Sequence, residues 1–425
     1  MMRRHRAVRG RAARLGLLTL LLGAWHSIPA HAQGPSDGSP APAAQATQDA
    51  KPSVEVYGFG MGDAIADFKQ NNPDWYDVVR PSRLPSVADQ YGQDGHFYLS
   101  ARQSRFGTRA TIPTSNGDIK AVFEFDLYGV GKDAGLTTMR VRHAYGQWKQ
   151  VGAGQTNTQF MDADVFPNTI EYWGPPGMMF VRLPQVFFRF YEDGDSNATV
   201  AIEAPGVSGD AGVFADRVEL QNVRGRFPLP DFTGHYRYGD KWGHVQISGV
   251  LRYIAYDDLI PNDKFDLSGH VWGGGISGSA VVKATPNDTL RLQATWGEGI
   301  ANFFNDAPID VGAQSNPGNA VTPVVGRALP IFGMTAYVDH NWNKEWSTAA
   351  GYSRVDFTNS DLQTADAYKS GQYASFNLLY TPFTNAMMGG EFQWGHRDNK
   401  SDGFSVNDYR IQVSFKYSFS AKIGG

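Results

Sequence analysis

The sequence contains no cysteine, so it can form no disulfide and carry out no thiol chemistry. After Trp25 it has no run of 18 consecutive apolar residues, which excludes membrane-spanning helices in that part of the chain. Hydrophobic residues make up only 41% of the 425 residues, whereas aromatic residues reach 13%. Many aromatics with modest hydrophobicity indicate a thin, one-sided apolar surface, as an outer-membrane β-barrel requires. A large soluble β-sandwich is the competing class.

Enzyme signatures are also missing. There is no G-x-S-x-G, no H-E-x-x-H, and the ten histidines are scattered, so we expect no catalytic site, no cofactor and no metal site. The segment VEVYGFGMGDAIADF (54–68) has the look of a dinucleotide-binding turn, but Asp63 stands where the last glycine of that fingerprint belongs. Its three glycines lie two residues apart, which is the period of a strand. We therefore predict a strand here.

The N-terminus predicts export. Six arginines precede an apolar stretch from Leu15 to Trp25 and a small-residue cleavage site at Ala30-His31-Ala32, so residues 1–32 read as a signal peptide. Removing those arginines takes the formal charge from −4 to about −10, and an acidic exported chain argues against a nucleic-acid partner. Residues 33–52 are rich in proline and alanine and predict a flexible leader.

Strand signals dominate the rest of the chain. IKAVFEFDLYG (119–129) places Ala121, Phe123 and Phe125 on one face and Lys120, Glu124 and Asp126 on the other. DYRIQVSFKYSF (408–419) alternates in the same way. One apolar and one charged face suit a wall between lipid and water, although the strands of a β-sandwich look similar.

The number and connection of the strands favour a barrel. Roughly sixteen strands are predicted, an even number as bacterial single-chain barrels require, and short turns alternate with long segments. We therefore predict an all-β fold, a transmembrane antiparallel β-barrel over residues 53–419, with a short C-terminal tail at 420–425. The predicted strands are 54–66, 96–112, 118–129, 137–150, 155–160, 180–190, 197–204, 231–239, 243–256, 267–284, 288–304, 328–341, 345–358, 372–382, 386–398 and 404–419. The predicted short turns are 113–118, 151–154, 192–197, 239–243, 285–288, 341–346 and 381–385.

Several of these segments resemble a known family. VEVYGFGMGDAIADF, ARQSRFGTRATIPTSNGDIKAVFEFDLYG, TMRVRHAYGQW and DADVFPNTIEYWGPPG are similar to segments of trimeric Gram-negative porins, and among them the DcaP-like outer-membrane channels. This resemblance implies a 16-stranded barrel, a homotrimer in the Gram-negative outer membrane among lipid and lipopolysaccharide, and diffusion of small anionic solutes such as dicarboxylates. Porins of this kind usually end on an aromatic residue, whereas here SAKIGG follows Phe419.

The resemblance also indicates where selection would occur. The third long connection, 161–179, folds into the lumen of porins, and here it carries acidic and aromatic residues; its acidic members are Asp162, Asp164 and Glu171. A basic wall would face it, formed by Arg105, Arg109, Arg140 and Arg142, of which the resemblance places Arg105 and Arg142 at the constriction. Arginine suits this role because its charge is permanent and it binds carboxylates through two hydrogen bonds.

Other basic residues are lumen candidates by strand alternation: Lys120, Arg189, Arg237, Arg252, Arg291, Arg354, Arg397, Arg410 and Lys416. Arg102 is out of phase with Arg105, which predicts a bulge between them. Aromatic residues near strand ends, such as Trp148, Trp272 and Trp296, are candidates for the membrane-interface girdles. The favoured function is an anion-preferring porin, and the alternative is a structural or adhesive barrel that conducts nothing.

Overall fold

Sixteen antiparallel strands form one closed barrel in a computed structural model of the chain, which describes residues 51–129, 138–260 and 264–424. The barrel closes because the first strand pairs with the last along its whole length, from Ser53 opposite Gly424 to Asp67 opposite Arg410. The predicted fold class is confirmed. The predicted signal peptide and nearly all of the predicted leader lie outside the described residues.

We number the barrel strands β1 to β16 in chain order. They are β1 (Ser53–Asp67), β2 (His96–Ser100 and Arg105–Ile112), β3 (Ile119–Asp126), β4 (Arg140–Trp148), β5 (Val151–Asn157), β6 (Arg182–Asp193), β7 (Ser196–Glu203), β8 (Asp231–Asp240), β9 (Gly243–Asp258), β10 (Gly269–Lys283), β11 (Asp288–Glu298), β12 (Pro330–Asn341), β13 (Trp346–Phe357), β14 (Tyr368–Phe383), β15 (Ala386–Asn399) and β16 (Ser405–Gly424).

Strand β2 is interrupted where the sequence predicted a bulge. Ser100 lies opposite Asp63 of β1 and Arg105 lies opposite Phe59, so the four residues 101–104 face only three residues of β1. The extra residue shifts the strand by one position, so Arg102 and Arg105 both point inward although they are three residues apart. Beside this point Gly58 permits close packing, because a β-carbon there would lie 2.4 Å from the Arg105 carbonyl oxygen.

The two faces of the wall differ as a membrane barrel requires. On the outside, Phe123 and Phe415 are about half exposed, whereas the inward side chains of Glu124 and Asp126 are buried. The predicted girdle residues Trp148, Trp272 and Trp296 are also exposed, and so are three further aromatic residues, Phe97, Trp242 and Trp346. An outer apolar surface flanked by aromatic residues is the pattern of a lipid-facing wall.

Several boundaries differ from those that the sequence predicted. The strand predicted over 288–304 ends at Glu298, and residues 299–304 begin a loop. The tight turn after β4 is at Lys149 and Gln150, with Lys149 at a positive φ of 52°, so the predicted turn at 151–154 is the first part of β5. The last strand also runs beyond Phe419. Residues 420–424, predicted as a tail, continue β16 and pair with β1.

Long connections alternate with short turns, as predicted. We call the long ones L1 (68–95), L2 (127–139), L3 (158–181), L4 (204–230), L5 (259–268), L6 (299–329), L7 (358–367) and L8 (400–404). In bacterial barrels the short turns are periplasmic, which puts L1 to L8 on the external side of the wall.

The loops contain a little secondary structure of their own. Short strands in L4 and L6 (Gly209–Asp210, Val311–Ser315 and Val324–Ala328) form a small separate sheet, whereas Val223–Arg226 of L4 extends the barrel wall by pairing with β9. The one described α-helix, Val218–Gln221, has four residues. Among the residues that the structure describes, no helix is both long and apolar enough to cross a bilayer.

Candidate functional site

L3 folds inward and crosses the lumen, as predicted. The hydroxyl of Ser248 on β9 donates to the Phe160 carbonyl at 2.7 Å, and the Ile170 amide donates to Glu391 on β15 at 2.7 Å. On its return, L3 reaches β13, where the Gly177 amide donates to Ser353 at 2.9 Å. L3 therefore contacts the inner wall of the barrel from β9 to β15.

Apolar packing holds L3 in that position. Its ends contribute Phe160 and Met179 to a buried cluster that also contains Phe303 of L6, and the rings of Phe160 and Phe303 meet edge to face at 5.7 Å. The middle of the loop has a second buried cluster of Val165, Phe166 and Met178. Buried apolar contacts of this kind exclude water and stabilise one loop position.

L1 also folds into the lumen of the same protomer, which the sequence did not predict. Arg80 donates to Asp306 of L6 at 2.9 Å, and its guanidinium lies 4.1 Å from the ring centre of Trp75 and 4.4 Å from that of Trp173 in L3. Arg397 on β15 holds the next part of L1 through the Ser82 carbonyl at 3.2 Å. L1, L3 and L6 are thus joined above the lumen.

Three of the four arginines of the predicted basic wall come together. Arg142 donates to Glu124 at 2.7 Å and to Asp126 at 3.1 Å, while Arg105 lies 3.4 Å from Glu124. Arg140 makes a two-pronged contact with Asp126 at 3.0 and 2.7 Å. The cluster therefore contains three guanidinium groups and two carboxylates, with a formal charge of +1. Its carboxylates were not among the predicted site residues.

Arg140 is the most accessible member of this cluster. Its side chain is 33% exposed, compared with 8% for Arg105 and 5% for Arg142. Its guanidinium lies 5.5 Å from the ring centre of Trp173, so this member of the cluster contacts L3. A positive charge next to an aromatic face is favourable and fixes the position of the side chain.

Arg109, the fourth arginine, lies lower on the same wall. It packs on the ring of Tyr57 at 3.9 Å and lies 3.6 Å from Glu55, and its side chain is half exposed. Below L3 a cavity of about 150 Å³ extends from Arg109 to Asp162 and Asp164 of L3. The open part of the lumen therefore runs between L3 and the wall formed by β1 to β9.

Both acidic residues at the start of L3 are paired with the wall. Asp162 accepts from His244 at 2.8 Å and from Ser279 at 2.7 Å, and Asp164 accepts from Arg237 at 2.5 Å. Burial alone would raise the pKa of Asp162, but the hydrogen bond and charge of His244 hold it below its ordinary value. These contacts fix the edge of L3 that faces the cavity.

Asp162, Asp164 and His244 bring three possible metal-ligand atoms within 4.8 Å of one another. Arg237 touches all three residues, with Asp162 at 3.8 Å, Asp164 at 2.5 Å and His244 at 2.9 Å. A guanidinium therefore already supplies the positive charge that these carboxylates need. We read the cluster as an ion-pair anchor for L3.

Glu171 does not line the passage, contrary to the prediction. Its side chain is fully buried, accepts hydrogen bonds from the Trp173 and Gly174 amides, and receives the Tyr373 hydroxyl at 3.2 Å. Burial and then the charge of the nearby Glu391 raise the pKa of Glu171 to about 8. Its position follows from long-range packing of L3 against β14 and β15, which spacing along the chain does not reveal.

The other predicted lumen residues have four kinds of position. Arg189 and Arg237 line the cavity, and Lys120 lies on the inner face of β3 near it. Arg291 contacts the Asp164 carbonyl, and Lys416 donates to the Tyr172 hydroxyl at 2.9 Å. These last two residues therefore anchor L3.

The buried arginines of the external half anchor loops. Arg252 is 1% exposed and pairs with Asp231 at 3.0 Å and Asp310 of L6 at 3.2 Å. Arg410 is completely buried against Asp67 at 2.6 Å, and Arg397 holds L1 as described above. They contact backbone and carboxylates, so the prediction that they face open lumen is wrong.

Arg354 is on the outer face of β13, which corrects its predicted position in the lumen. Its neighbour Ser353 is fully buried and contacts L3, so Arg354 points the other way, where it pairs with Asp356 at 2.7 Å. An ion pair near the end of a strand lies close to the polar interface, where an outward charge costs little.

Comparisons with known proteins agree with this fold. The family model described as DcaP outer membrane protein matches residues 52–294. The chain belongs to the DcaP outer membrane protein family. The crystal structure of the outer membrane channel DcaP of Acinetobacter baumannii is similar, with a TM-score of 0.70 at 22% identity, covering 88% of this chain and 99% of that one. Family and fold are thus those of outer-membrane porin-type barrels.

More distant structures share the fold of this DcaP family member. The anion-selective porin from Comamonas acidovorans has a TM-score of 0.56 at 11% identity, covering 87% of this chain and 100% of that one. A trimer form of OmpT from Vibrio cholerae has a TM-score of 0.52 at 12% identity, with 87% and 100% covered. A search of curated proteins found no match.

Proposed function

We propose that this barrel is a porin through which small hydrophilic anions, dicarboxylates among them, diffuse passively. The observation that carries the proposal is the cluster of Arg105, Arg140 and Arg142 around Glu124 and Asp126, which has excess positive charge on the inner wall. Its Glu124 also lines the cavity below L3. A similar fold in an anion-selective porin is consistent with it.

The geometry suits transient binding. An accessible guanidinium such as that of Arg140 can receive one carboxylate with two hydrogen bonds, and Arg109 offers a second half-exposed guanidinium further along the wall. A dicarboxylate would pass from one to the other. Because throughput requires weak binding, we expect millimolar affinity, about 4 kcal/mol.

We also propose that the working unit is a homotrimer. A trimer form of OmpT, which has this fold, supports the proposal. On the outer side of β1, Gly60 and Gly62 have open space where a side chain would be, so another protomer's wall could approach closely. Light scattering of the detergent-solubilised protein, corrected for bound detergent, measures the number of protomers.

The test is planar-bilayer recording of the purified protein under a salt gradient. The proposal predicts step-like conductance and a reversal potential of the sign for anion preference. A barrel that inserts but conducts nothing would favour the structural or adhesive alternative. Conductance with cation preference would keep the porin function and refute the proposed selectivity. Uptake of succinate and glucose into liposomes then compares a charged with a neutral solute of small size.

A further inference from the structure

A basic patch lies on the outside of the barrel at its external rim. The L4 strand Val223–Arg226 pairs with β9, with Arg224 opposite Asp257 and Arg226 opposite Ala255. His270 of β10 is opposite Ala255 on the other side of β9. Directly opposite residues of antiparallel strands point to the same side of the sheet. We call Arg224, Arg226 and His270 the rim patch.

This side is the lipid-facing one. On β9, Leu251 is 50% exposed to the outside, whereas the adjacent Arg252 is 1% exposed and points inward. Because side chains alternate along a strand, Ala255 and Asp257 share the outward direction of Leu251. The rim patch therefore points away from the lumen and has no part in the proposed passage.

The height of the patch matches the lipid headgroups. Directly below it, Tyr253 and Trp272 meet edge to face at 5.0 Å, and Trp272 is 56% exposed. The ring of His270 stacks on Tyr253 at 5.1 Å. Exposed aromatic pairs at a strand end mark the boundary of the apolar band, so residues just beyond them lie among headgroups.

The positive charge of the rim patch is only partly neutralised by neighbouring carboxylates. Arg226 forms an ion pair with Asp257 at 2.8 Å, and both side chains are well exposed. Arg224 is exposed and has no hydrogen bond or ion pair to any residue in the described ranges. A free guanidinium presents several N–H groups in a plane that matches two oxygens of a phosphate.

We propose that the rim patch binds phosphate groups of lipopolysaccharide in the outer leaflet. Arg224 supplies the free guanidinium, Arg226 adds a second beside it, and Trp272 and Tyr253 contact the acyl region below. The external leaflet of a Gram-negative outer membrane is made of this phosphorylated glycolipid, so charge and height both select it. This inference depends on the membrane location and does not depend on conduction.

The experiment measures binding of fluorescent lipopolysaccharide to the purified, detergent-solubilised protein. Arg224→Gln with Arg226→Gln should weaken binding about tenfold or more, since each arginine near an anionic lipid surface contributes about a fivefold factor. The matched control is Lys149→Gln, which removes an exposed basic residue in the short periplasmic turn after β4, at the opposite end of the barrel from the rim patch. That variant should bind as the wild type does. The single variant Arg224→Gln, which breaks no ion pair between described residues, should lose about fivefold.

Enzymatically dephosphorylated lipopolysaccharide should bind the wild type as weakly as intact lipopolysaccharide binds the double variant. Equal binding of the two lipids would overturn the proposal, and so would a double variant with unchanged affinity. A double variant that folds, as shown by heat-modifiable migration, but changes its oligomeric state would show that the patch contacts a second copy instead.

Discussion

Arg140 holds Asp126 through two parallel hydrogen bonds of 3.0 and 2.7 Å while a third of its side chain remains exposed. One face of the guanidinium is thus fixed by a buried carboxylate and another part remains available to a solute. Asp126 therefore holds the Arg140 guanidinium in place without neutralising the cluster. Arg105 and Arg142 also share the two carboxylates, so positive charge remains.

Glu124→Gln should increase anion preference. Glu124 is the carboxylate between Arg105 and Arg142, so removing its charge takes the cluster from a formal +1 to +2 and keeps a hydrogen-bond acceptor. The permeability ratio of chloride to potassium from reversal potentials should rise about twofold or more. Asp356→Asn on the outer face is the control and should leave the ratio as it is in the wild type.

Arg80→Met should release L1. It removes the partner of Asp306, whose side chain is 1% exposed, and breaking a buried pair costs about 3 kcal/mol. We expect faster protease cleavage in L1 and larger current noise in single-channel recordings. Arg83→Met, at an exposed position in the same loop, is the matched control. Unchanged cleavage in Arg80→Met would mean that the clasp with Trp75 and Trp173 does not hold the loop.

The docking of L3 should weaken as pH rises. The pKa of Glu171 is raised from 4.5 to about 8 in the folded protein, so the folded state holds this proton where a released loop would lose it. The contribution of the Glu171 proton to the free energy of unfolding is complete below about pH 4.5 and decreases as the pH rises to about 8. Thermal unfolding between pH 4.5 and 9 should show this loss, and Glu171→Gln should remove that part of it. An identical pH profile for Glu171→Gln would contradict the assignment.

Deleting residues 420–425 should destabilise the barrel seam. Residues 420–424 form five residue pairs with Ser53–Tyr57. An antiparallel ladder has on average one backbone hydrogen bond per residue pair, and each lost bond costs about 1 kcal/mol, so the loss is about 5 kcal/mol. The temperature of the heat-modifiable shift on gels should fall. Lys422→Ala retains the backbone pairing and should shift little. A truncated barrel as heat-stable as the full chain would mean that the final pairs add nothing.

The strands could be predicted from the sequence because their signals are local. Alternation in IKAVFEFD assigns Phe123 to the lipid side and Glu124 to the lumen, and the phase difference between Arg102 and Arg105 predicts the irregularity in β2. The even strand count and the alternation of turns and loops then give the barrel. L3 was expected to fold inward because of the family resemblance.

The side-chain positions that depend on long-range packing could not be predicted from local sequence patterns. Whether an inward arginine meets solvent or a loop depends on where L1, L4 and L6 pack, so Arg252 and Arg410 were wrongly expected in open lumen. The inward position of L1 rests on Arg80 and Asp306, which lie 226 residues apart in the chain. Arg354 was misplaced by one residue of strand phase, which reverses the direction of a side chain.

The most direct test of the central claim is the reversal potential of Arg140→Glu under a salt gradient, recorded beside the wild type and Arg354→Glu. We predict anion preference in the wild type, an unchanged reversal potential in the outer-face variant, and loss or reversal of the preference in Arg140→Glu. Anion preference of the same size in all three proteins would contradict the claim that the arginine cluster of β2 to β4 selects the solute.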